Sequence, residues 1–99
     1  MPRVILQISY DINPERREEY LSLAKELRNH FNVERKKNYR IFEAKGKKNS
    51  FVEEFQCNSM EEYEALEDDM NENSEKLVDR LESLIKEGKA KYTTLVEVE

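Results

Sequence analysis

Residues 39–63 read YRIFEAKGKKNSFVEEFQCNSMEEY. Strand-favouring residues fill 39–45 and 51–57, and the connection between them, GKKNS at 46–50, contains a glycine and an asparagine that tolerate positive φ. These segments predict an antiparallel hairpin. The tetrapeptide SMEE at 59–62 follows as a capping box, in which the serine and the second glutamate satisfy orphan N–H groups at a helix start. The stretch therefore predicts strand, strand and helix in succession.

Upstream of the hairpin, the sequence predicts one more strand and one more helix. Residues 3–12 alternate in polarity, with an apolar face formed by Val4, Leu6, Ile8 and Tyr10. Asn13-Pro14-Glu15 then supplies an N-cap, a proline at the first helical position and an acid in the first turn. Apolar residues recur at helical spacing as far as Phe31, so we expect helix one over residues 14–31.

Downstream, an interrupted helix and a final strand complete the order. The apolar stripe of helix two begins at Tyr63, is broken by weak helix formers at 71–74, and resumes as far as Gly88, which we expect as an αL cap. We expect a bend or break near Asn73 and a closing strand over 92–98. The order predicts an α+β fold, a ferredoxin-like βαββαβ sandwich with a four-stranded antiparallel sheet and two helices on one face.

Length, composition and charge disfavour several classes of protein. Ninety-nine residues suit a single domain, 1–99, whose sheet keeps one face open for a partner. The formal charge of −5 and the pI of about 5.1 argue against nucleic acid or an anionic membrane as a partner. No apolar stretch has the length of a membrane span or a signal peptide, so we expect a cytoplasmic protein. One cysteine and one histidine exclude an internal disulfide and a zinc site built from soft ligands.

An RNA-recognition motif shares the predicted order and is the alternative in which nucleic acid is the partner. Its third strand carries a basic entry, a glycine and stacking aromatics, and residues 47–55 offer Phe51 after a basic entry. However, Asn49 and Ser50 stand where the glycine and the second aromatic belong, and the first strand presents Ile5 in place of an aromatic. We therefore expect no nucleic-acid partner.

The local sequence features resemble one group among the proteins with this order. They are the proline-led helix start NPERREEY at 13–20, the third strand FVEEF at 51–55, and SMEEY at 59–63 before an interrupted helix. In these features nearly the whole chain resembles the antibiotic-biosynthesis-monooxygenase group of the dimeric α/β barrel superfamily. The resemblance implies a homodimer, in which two sheets pack by their open faces, and a small hydrophobic ligand held between sheet and helices.

The catalytic residues of that superfamily do not carry over to this sequence. Haem-degrading relatives use an asparagine on the first strand, a tryptophan near the end of the third and a histidine in helix two. Here the first strand offers aliphatic residues, the third ends with Phe55 and Cys57, and residues 59–88 contain no histidine. Quinone-forming relatives place a tryptophan and tyrosines at the pocket, whereas this chain has no tryptophan and Tyr63 is the arguable match. We expect no haem, flavin or metal as cofactor.

The expected ligand pocket lies beneath helix two. We predict that it is lined by Tyr10, Glu53, Phe55, Cys57 and Tyr63. Strand alternation places Glu53 on the more apolar face of its strand, where burial would raise its pKa and make it a candidate general base. Alternatively, Glu53 pairs across the hairpin with Lys45 or Arg40, or faces the dimer barrel. Aromatic residues and cysteine at these spacings more often form ordinary core.

Two kinds of function are compatible with these residues. The first is a cofactor-free enzyme or binding protein for a small hydrophobic or aromatic molecule. The second is a non-enzymatic structural or regulatory interaction protein, a homodimer whose acidic helix at 61–75 and basic segment at 35–48 orient its partner. Binding of small aromatic molecules would separate the first hypothesis from the second.

Overall fold

The computed structural model describes residues 2–98. Its elements are β1 (Val4–Ile12), a 3-10 turn (Pro14–Arg16), α1 (Arg17–Asn29), a π-helical turn (His30–Glu34), β2 (Asn38–Glu43), β3 (Ser50–Cys57), α2 (Met60–Asp68), α3 (Glu72–Leu84) and β4 (Ile85–Val96). The sheet order is β2-β3-β1-β4, and all neighbours are antiparallel. The predicted ferredoxin-like α+β fold is confirmed, with three α-helices where two were expected. Within residues 2–98 no helix is long and apolar enough to cross a membrane.

One face of the sheet is covered by the helices and forms the core. The predicted inward face of β1 is confirmed, because Val4 and Tyr10 are buried on it. From α1, Leu23 and Leu27 pack onto this face and are also buried. Burial of a leucine side chain stabilises a fold by about 1.5–3 kcal/mol. α1 is therefore firmly anchored, whereas α2 contains no buried residue.

The hairpin between β2 and β3 is tied to the start of α1. β2 ends at Glu43, before the predicted end at 45. Gly46 and Asn49 have φ angles of 82° and 70°, so the predicted positive-φ turn is confirmed. Arg17 Nη1 donates to the Glu43 carboxylate at 2.6 Å and to Asn49 Oδ1 at 2.8 Å. The Arg17 guanidinium lowers the pKa of Glu43 to about 2, so this anchor keeps its charge in neutral solution.

The sequence predicts that helix one ends at Phe31, and the structure differs from this prediction. It continues as the π-helical turn, in which the Arg35 N–H donates to the His30 carbonyl at 2.9 Å and the Lys37 N–H donates to the Phe31 carbonyl at 2.7 Å. The wide turn buries both His30 and Phe31. It also redirects the chain, so that Arg35 and Lys37 face the space between the sheet and α2.

Side-chain caps start both helices that follow β3. Ser59 Oγ accepts from the Glu62 N–H at 3.2 Å, as predicted for the capping box. α2 and α3 are separate helices, so the predicted bend or break near Asn73 is present as a break. Asn71 Oδ1 caps α3 by accepting from the Ser74 N–H at 2.9 Å. A cap of this kind allows a new helix to start in a new direction.

The predicted boundary between helix two and the closing strand is wrong. α3 ends at Leu84 and β4 follows at once, so Gly88 lies inside the strand and not at a helix cap. Residues 86–89 bulge opposite a single residue of β1, and the positive φ of Gly88, 64°, serves this bulge. The helix ends earlier because the Leu84 carbonyl accepts from the Asn13 N–H at 3.0 Å, a partner from a distant part of the chain.

Candidate functional site

A cleft of about 660 Å³ lies between the sheet and the helices α2 and α3. Its floor is formed by β1, β3 and β4. Most of its lining is apolar or aromatic, and includes Leu6, Ile8, Phe31, Phe55, Leu66 and Met70. The cleft exists because α2 covers the sheet without burying a side chain of its own. Its volume and lining suit a small organic ligand.

The structure brings four of the five predicted site residues to this cleft. Tyr10, Glu53 and Phe55 lie in its floor, and Tyr63 reaches it from α2. Cys57, which we expected in the lining, lies outside. It shares a strand face with Phe55 but is 1% exposed in the packed end of the sheet, and burial raises the pKa of its thiol. Strand alternation predicts the face of a side chain but not how far a cleft extends along the strand.

Glu53 lies buried in the floor of the cleft at 3% exposure. The Tyr39 hydroxyl donates to its Oε1, whereas Oε2 has no hydrogen-bond partner. The alternative pairing with Lys45 or Arg40 is not formed. Arg40 stands opposite Glu54 in the strand register, on the other face of the sheet. Among the described residues no ion pair includes Glu53.

The surroundings of Glu53 favour its neutral form. Loss of water on burial raises the pKa of Glu53, and the hydroxyls of Tyr39 and Tyr10 offset this effect only in part. Burial and the nearby carboxylate also raise the pKa values of Tyr10 and Tyr39, so both hydroxyls stay protonated. The Tyr10 hydroxyl oxygen lies 2.8 Å from that of Tyr20. A carboxyl group with a raised pKa and one free oxygen can exchange a proton with a bound molecule.

Arg35 and Lys37 form a cationic end of the cleft. Arg35 Nη2 donates to the backbone carbonyl of Asp69, and the Lys37 ammonium pairs with the Asp69 carboxylate. Lys37 thereby holds the pKa of Asp69 below its usual range. Arg35 Nε is buried and has no hydrogen-bond partner. The Lys37 ammonium is therefore engaged by Asp69, whereas the Nε–H group of Arg35 is left to donate to a bound molecule.

Sequence reasoning assigned neither Tyr39 nor Arg35 to the site. A signal for Tyr39 exists, because the hairpin register places it opposite Phe55, which the sequence did assign to the pocket. Arg35 has no comparable signal. It belongs to a basic run that looks like a solvated surface, and the π-helical turn that brings it inward depends on tertiary packing.

The part of the chain that the structure describes contains no group of side chains typical of a metal centre. Within residues 2–98, no three His, Cys, Asp or Glu side chains are grouped so that they could hold a metal ion. The charged and hydroxyl groups that line the cleft are instead five carboxyl groups, three tyrosine hydroxyls and the cationic end. These groups can donate, accept and move protons.

Several solved structures share this fold. A candidate antibiotic biosynthesis monooxygenase from Deinococcus radiodurans matches with a TM-score of 0.76 and 14% identity, over 97% of this chain and 93% of that chain. A mutant of SnoaB, a cofactor-independent oxygenase from Streptomyces nogalater, matches with a TM-score of 0.72 and 11% identity, over 94% and 90%. A conserved protein of unknown function from Bacteroides thetaiotaomicron, described as a possible oxidoreductase, matches with a TM-score of 0.75 and 20% identity, over 95% and 96%.

The comparisons by sequence, unlike those by structure, find no match. No protein-family model and no curated protein matches the chain. The structural matches cover nearly the whole of each chain, and their low identities mean that they establish the architecture. The resemblance inferred from residues 13–20 and 51–63 is therefore confirmed for the fold. This chain has the same fold as solved structures described as antibiotic biosynthesis monooxygenases and as a cofactor-independent oxygenase.

Proposed function

We propose that this chain binds a small, largely apolar aromatic molecule in the cleft, and that Glu53 accepts a hydrogen bond or a proton from a hydroxyl group on that molecule. One observation carries the proposal. Glu53 Oε2 is buried beside an apolar cleft and has no hydrogen-bond partner. A buried polar group left unpaired costs about 1–3 kcal/mol, so such groups are rare. A ligand hydroxyl suits this oxygen in either protonation state, because it can both donate and accept.

The same geometry supports oxidation of the ligand by dioxygen. SnoaB, which has the same fold, is a cofactor-independent oxygenase. If Glu53 takes the proton of a phenol, the resulting phenolate is electron-rich enough to reduce dioxygen. In the balanced reaction a ring C–H becomes a carbonyl with one oxygen atom of O2, and the phenolic oxygen becomes the second carbonyl of a quinone. The other oxygen atom leaves as water with the two hydrogens, and the carboxyl group returns its proton.

The naphthalene pair 2-naphthol and 2-methoxynaphthalene tests this role, because only the first can donate a hydrogen bond. At a pH where Glu53 is ionised, we expect the wild type to bind 2-naphthol about tenfold or more tightly, as befits a hydrogen bond to a charged group. Glu53→Gln should reduce that preference severalfold. Fluorescence titration of both compounds between about pH 6 and pH 8 measures it, and an oxygen electrode records whether 2-naphthol is consumed together with dioxygen.

Glu54→Gln is the matched control for this experiment. Glu54 is the next residue of β3 and lies on the opposite face of the sheet, so its replacement should leave the 2-naphthol preference unchanged. Equal binding of the two naphthalenes by the wild type would contradict the proposal, as would a preference that survives Glu53→Gln. Binding without oxygen uptake would confine the function to binding.

We also propose that two copies of the chain pair through the open face of the sheet. Phe42 and Leu95 are 47% and 44% exposed on this face, and the register places the partly buried Ile5 and Val52 beside them. A sheet face in contact with water is normally polar. The apolar residues here support a partner surface, and a second copy supplies the same residues in return.

Light scattering at micromolar protein should therefore give twice the chain mass of 11.9 kDa. Phe42→Lys places a charge in the proposed interface and should shift the protein toward monomer, because burying an unpaired charge is costly. Val33→Lys is the control, since Val33 is 66% exposed and lies in the π-helical turn, not on a strand of the sheet. A monomer mass for the wild type would remove the proposed dimer.

A further inference from the structure

α2 is the least firmly anchored helix of the fold. It contains no buried residue, whereas α3 buries Ser74, Leu81 and Leu84. Where α2 lies over the core, Leu66 is only partly buried. Burial of apolar side chains supplies most of the free energy that holds a helix in place, and segments that lack it open first. α2 is therefore expected to separate from the sheet while the rest of the fold stays intact.

Polar contacts supply much of what holds α2 closed. At its C-terminal end, the Lys37 ammonium pairs with the Asp69 carboxylate, and Arg35 Nη2 donates to the Asp69 carbonyl. In its middle, the Tyr63 hydroxyl oxygen lies 2.9 Å from Thr94 Oγ1, in a contact open to water. Contacts that are partly or fully open to water contribute less to stability than buried apolar side chains. Breaking them therefore needs little free energy.

Extended residues border α2 on both sides and can act as hinges. Ser59, with φ −155° and ψ 166°, precedes α2, and Asn71, with φ −115° and ψ −177°, separates it from α3. Each of these side chains caps the helix that follows it, so both helices keep their first turn when the backbone rotates nearby. Residues that end an element commonly absorb the φ and ψ changes of a hinge motion. α2 can thus turn as a rigid body about the line that joins Ser59 and Asn71.

The floor of the cleft is nearly sealed while α2 is in place. Tyr10, Glu53 and Phe55 lie in this floor, and all three side chains are buried. Tyr63 and Leu66 of α2 line the same cleft. A molecule that is to contact Glu53 therefore needs a covering element to move, and α2 is the element that can move without breaking the buried core.

We propose that α2 is a hinged lid over the cleft, and that the ion pair between Lys37 and Asp69 is the latch that keeps it closed. Lys37 follows the π-helical turn, whose first two residues are buried, so the latch joins a fixed part of the fold to a mobile one. A molecule enters the cleft when the latch breaks and the lid turns away from the sheet. This role in entry rests on the function proposed above, whereas the opening of the lid does not.

Native-state hydrogen exchange, followed by NMR in the absence of any ligand, tests the lid and its latch. The hydrogen-bonded amides of α2 should have protection factors about tenfold or more lower than those of α3. Lys37→Met should lower the α2 factors by a further threefold or so, about the effect of losing one partly buried ion pair, and leave those of α3 unchanged. Lys37→Arg keeps the cation and should retain the wild-type protection of α2.

Lys47→Met is the matched control for the latch. Lys47 pairs with Asp11 at 3.9 Å and joins the hairpin connection to β1, so its replacement should leave the protection of α2 unchanged. Equal protection of α2 and α3 in the wild type would overturn the lid. Protection of α2 that Lys37→Met leaves at the wild-type level would overturn the latch.

Stopped-flow fluorescence with 2-naphthol tests entry through the lid. Association should be about threefold faster in Lys37→Met than in the wild type, because the lid is open for a larger fraction of the time, and unchanged in Lys47→Met. An association rate that Lys37→Met leaves unchanged would overturn entry through the lid, and the proposed function would stand. If 2-naphthol does not bind at millimolar concentration, the proposed function falls, and the exchange experiment by itself decides whether α2 is a latched lid.

Discussion

The Glu53→Gln variant is expected to gain stability relative to the wild type as the pH rises from the unfolded-state pKa of Glu53, about 4.3, toward its raised pKa in the folded protein. Burial raises the pKa of Glu53 above the value of about 4.3 that it has in an unfolded chain. Between the two pKa values the folded protein holds a proton that the unfolded chain releases. The free energy of unfolding of the wild type therefore falls as the pH rises through this window. Each unit by which the pKa is raised corresponds to about 1.4 kcal/mol.

Urea unfolding at several pH values measures this effect. The difference in unfolding free energy between Glu53→Gln and wild type should grow with pH and level off above the pKa of Glu53 in the folded protein. At low pH the variant should be no more stable than the wild type, because its buried amide also lacks a full set of partners. Glu54→Gln, on the opposite face of the sheet, should follow the wild-type curve. A constant difference between Glu53→Gln and wild type at all pH values would contradict the raised pKa.

The Tyr39→Phe variant is expected to lose about 1–3 kcal/mol of stability, and more above the pKa of Glu53 than below it. The Tyr39 hydroxyl is the group that donates to Glu53 Oε1, and Oε2 has no partner. Without the Tyr39 hydroxyl, the buried Glu53 carboxylate would keep no hydrogen bond of normal geometry. An unpaired buried carboxylate costs more free energy than an unpaired neutral group. The loss should therefore increase with pH, opposite in sign to the effect of Glu53→Gln.

Tyr20→Phe provides the comparison for this prediction. It removes a hydroxyl whose hydrogen bond runs to the neutral Tyr10 hydroxyl, so it should cost about 1 kcal/mol with little dependence on pH. Both tyrosines are fully buried, so the two substitutions create similar local voids. Equal pH dependence of the two variants would show that the Tyr39 hydroxyl does not support the carboxylate.

The expected stability changes of Glu53→Gln and Tyr39→Phe have one cause, the burial of the Glu53 carboxyl group in the floor of the cleft. A carboxyl group placed among Ile8, Ile41 and aromatic rings lowers the stability of the fold at neutral pH. The Tyr39 hydroxyl limits that loss without neutralising the charge. A fold that keeps such a group gains a carboxyl group with a raised pKa in the lining of a cleft. This is the physical basis for assigning the function of the chain to the cleft.

Local residue patterns alone determined most of the secondary structure. Alternation in residues 3–12, the glycine and asparagine of the hairpin connection, and the capping box at Ser59 act within a few residues of the chain. The elements that they predict are present in the structure. The same alternation placed Glu53 on the face of β3 that carries Phe51 and Phe55, and the structure shows that the helices cover this face. Short-range rules work here because each partner of the interaction lies nearby in sequence.

Tertiary contacts decided the boundaries and the completed site. The carbonyl at the end of α3 is taken by Asn13, so Gly88 serves a strand bulge and not the helix cap that its residue type suggests. The π-helical turn carries Arg35 inward, and the distance that the cleft runs along β3 leaves Cys57 outside. Each of these outcomes depends on groups far apart in the chain that meet only after packing. The sequence by itself therefore determined which residues of β3 share a face, and the packing of the helices decided that this face is covered and which of its side chains meet in the cleft.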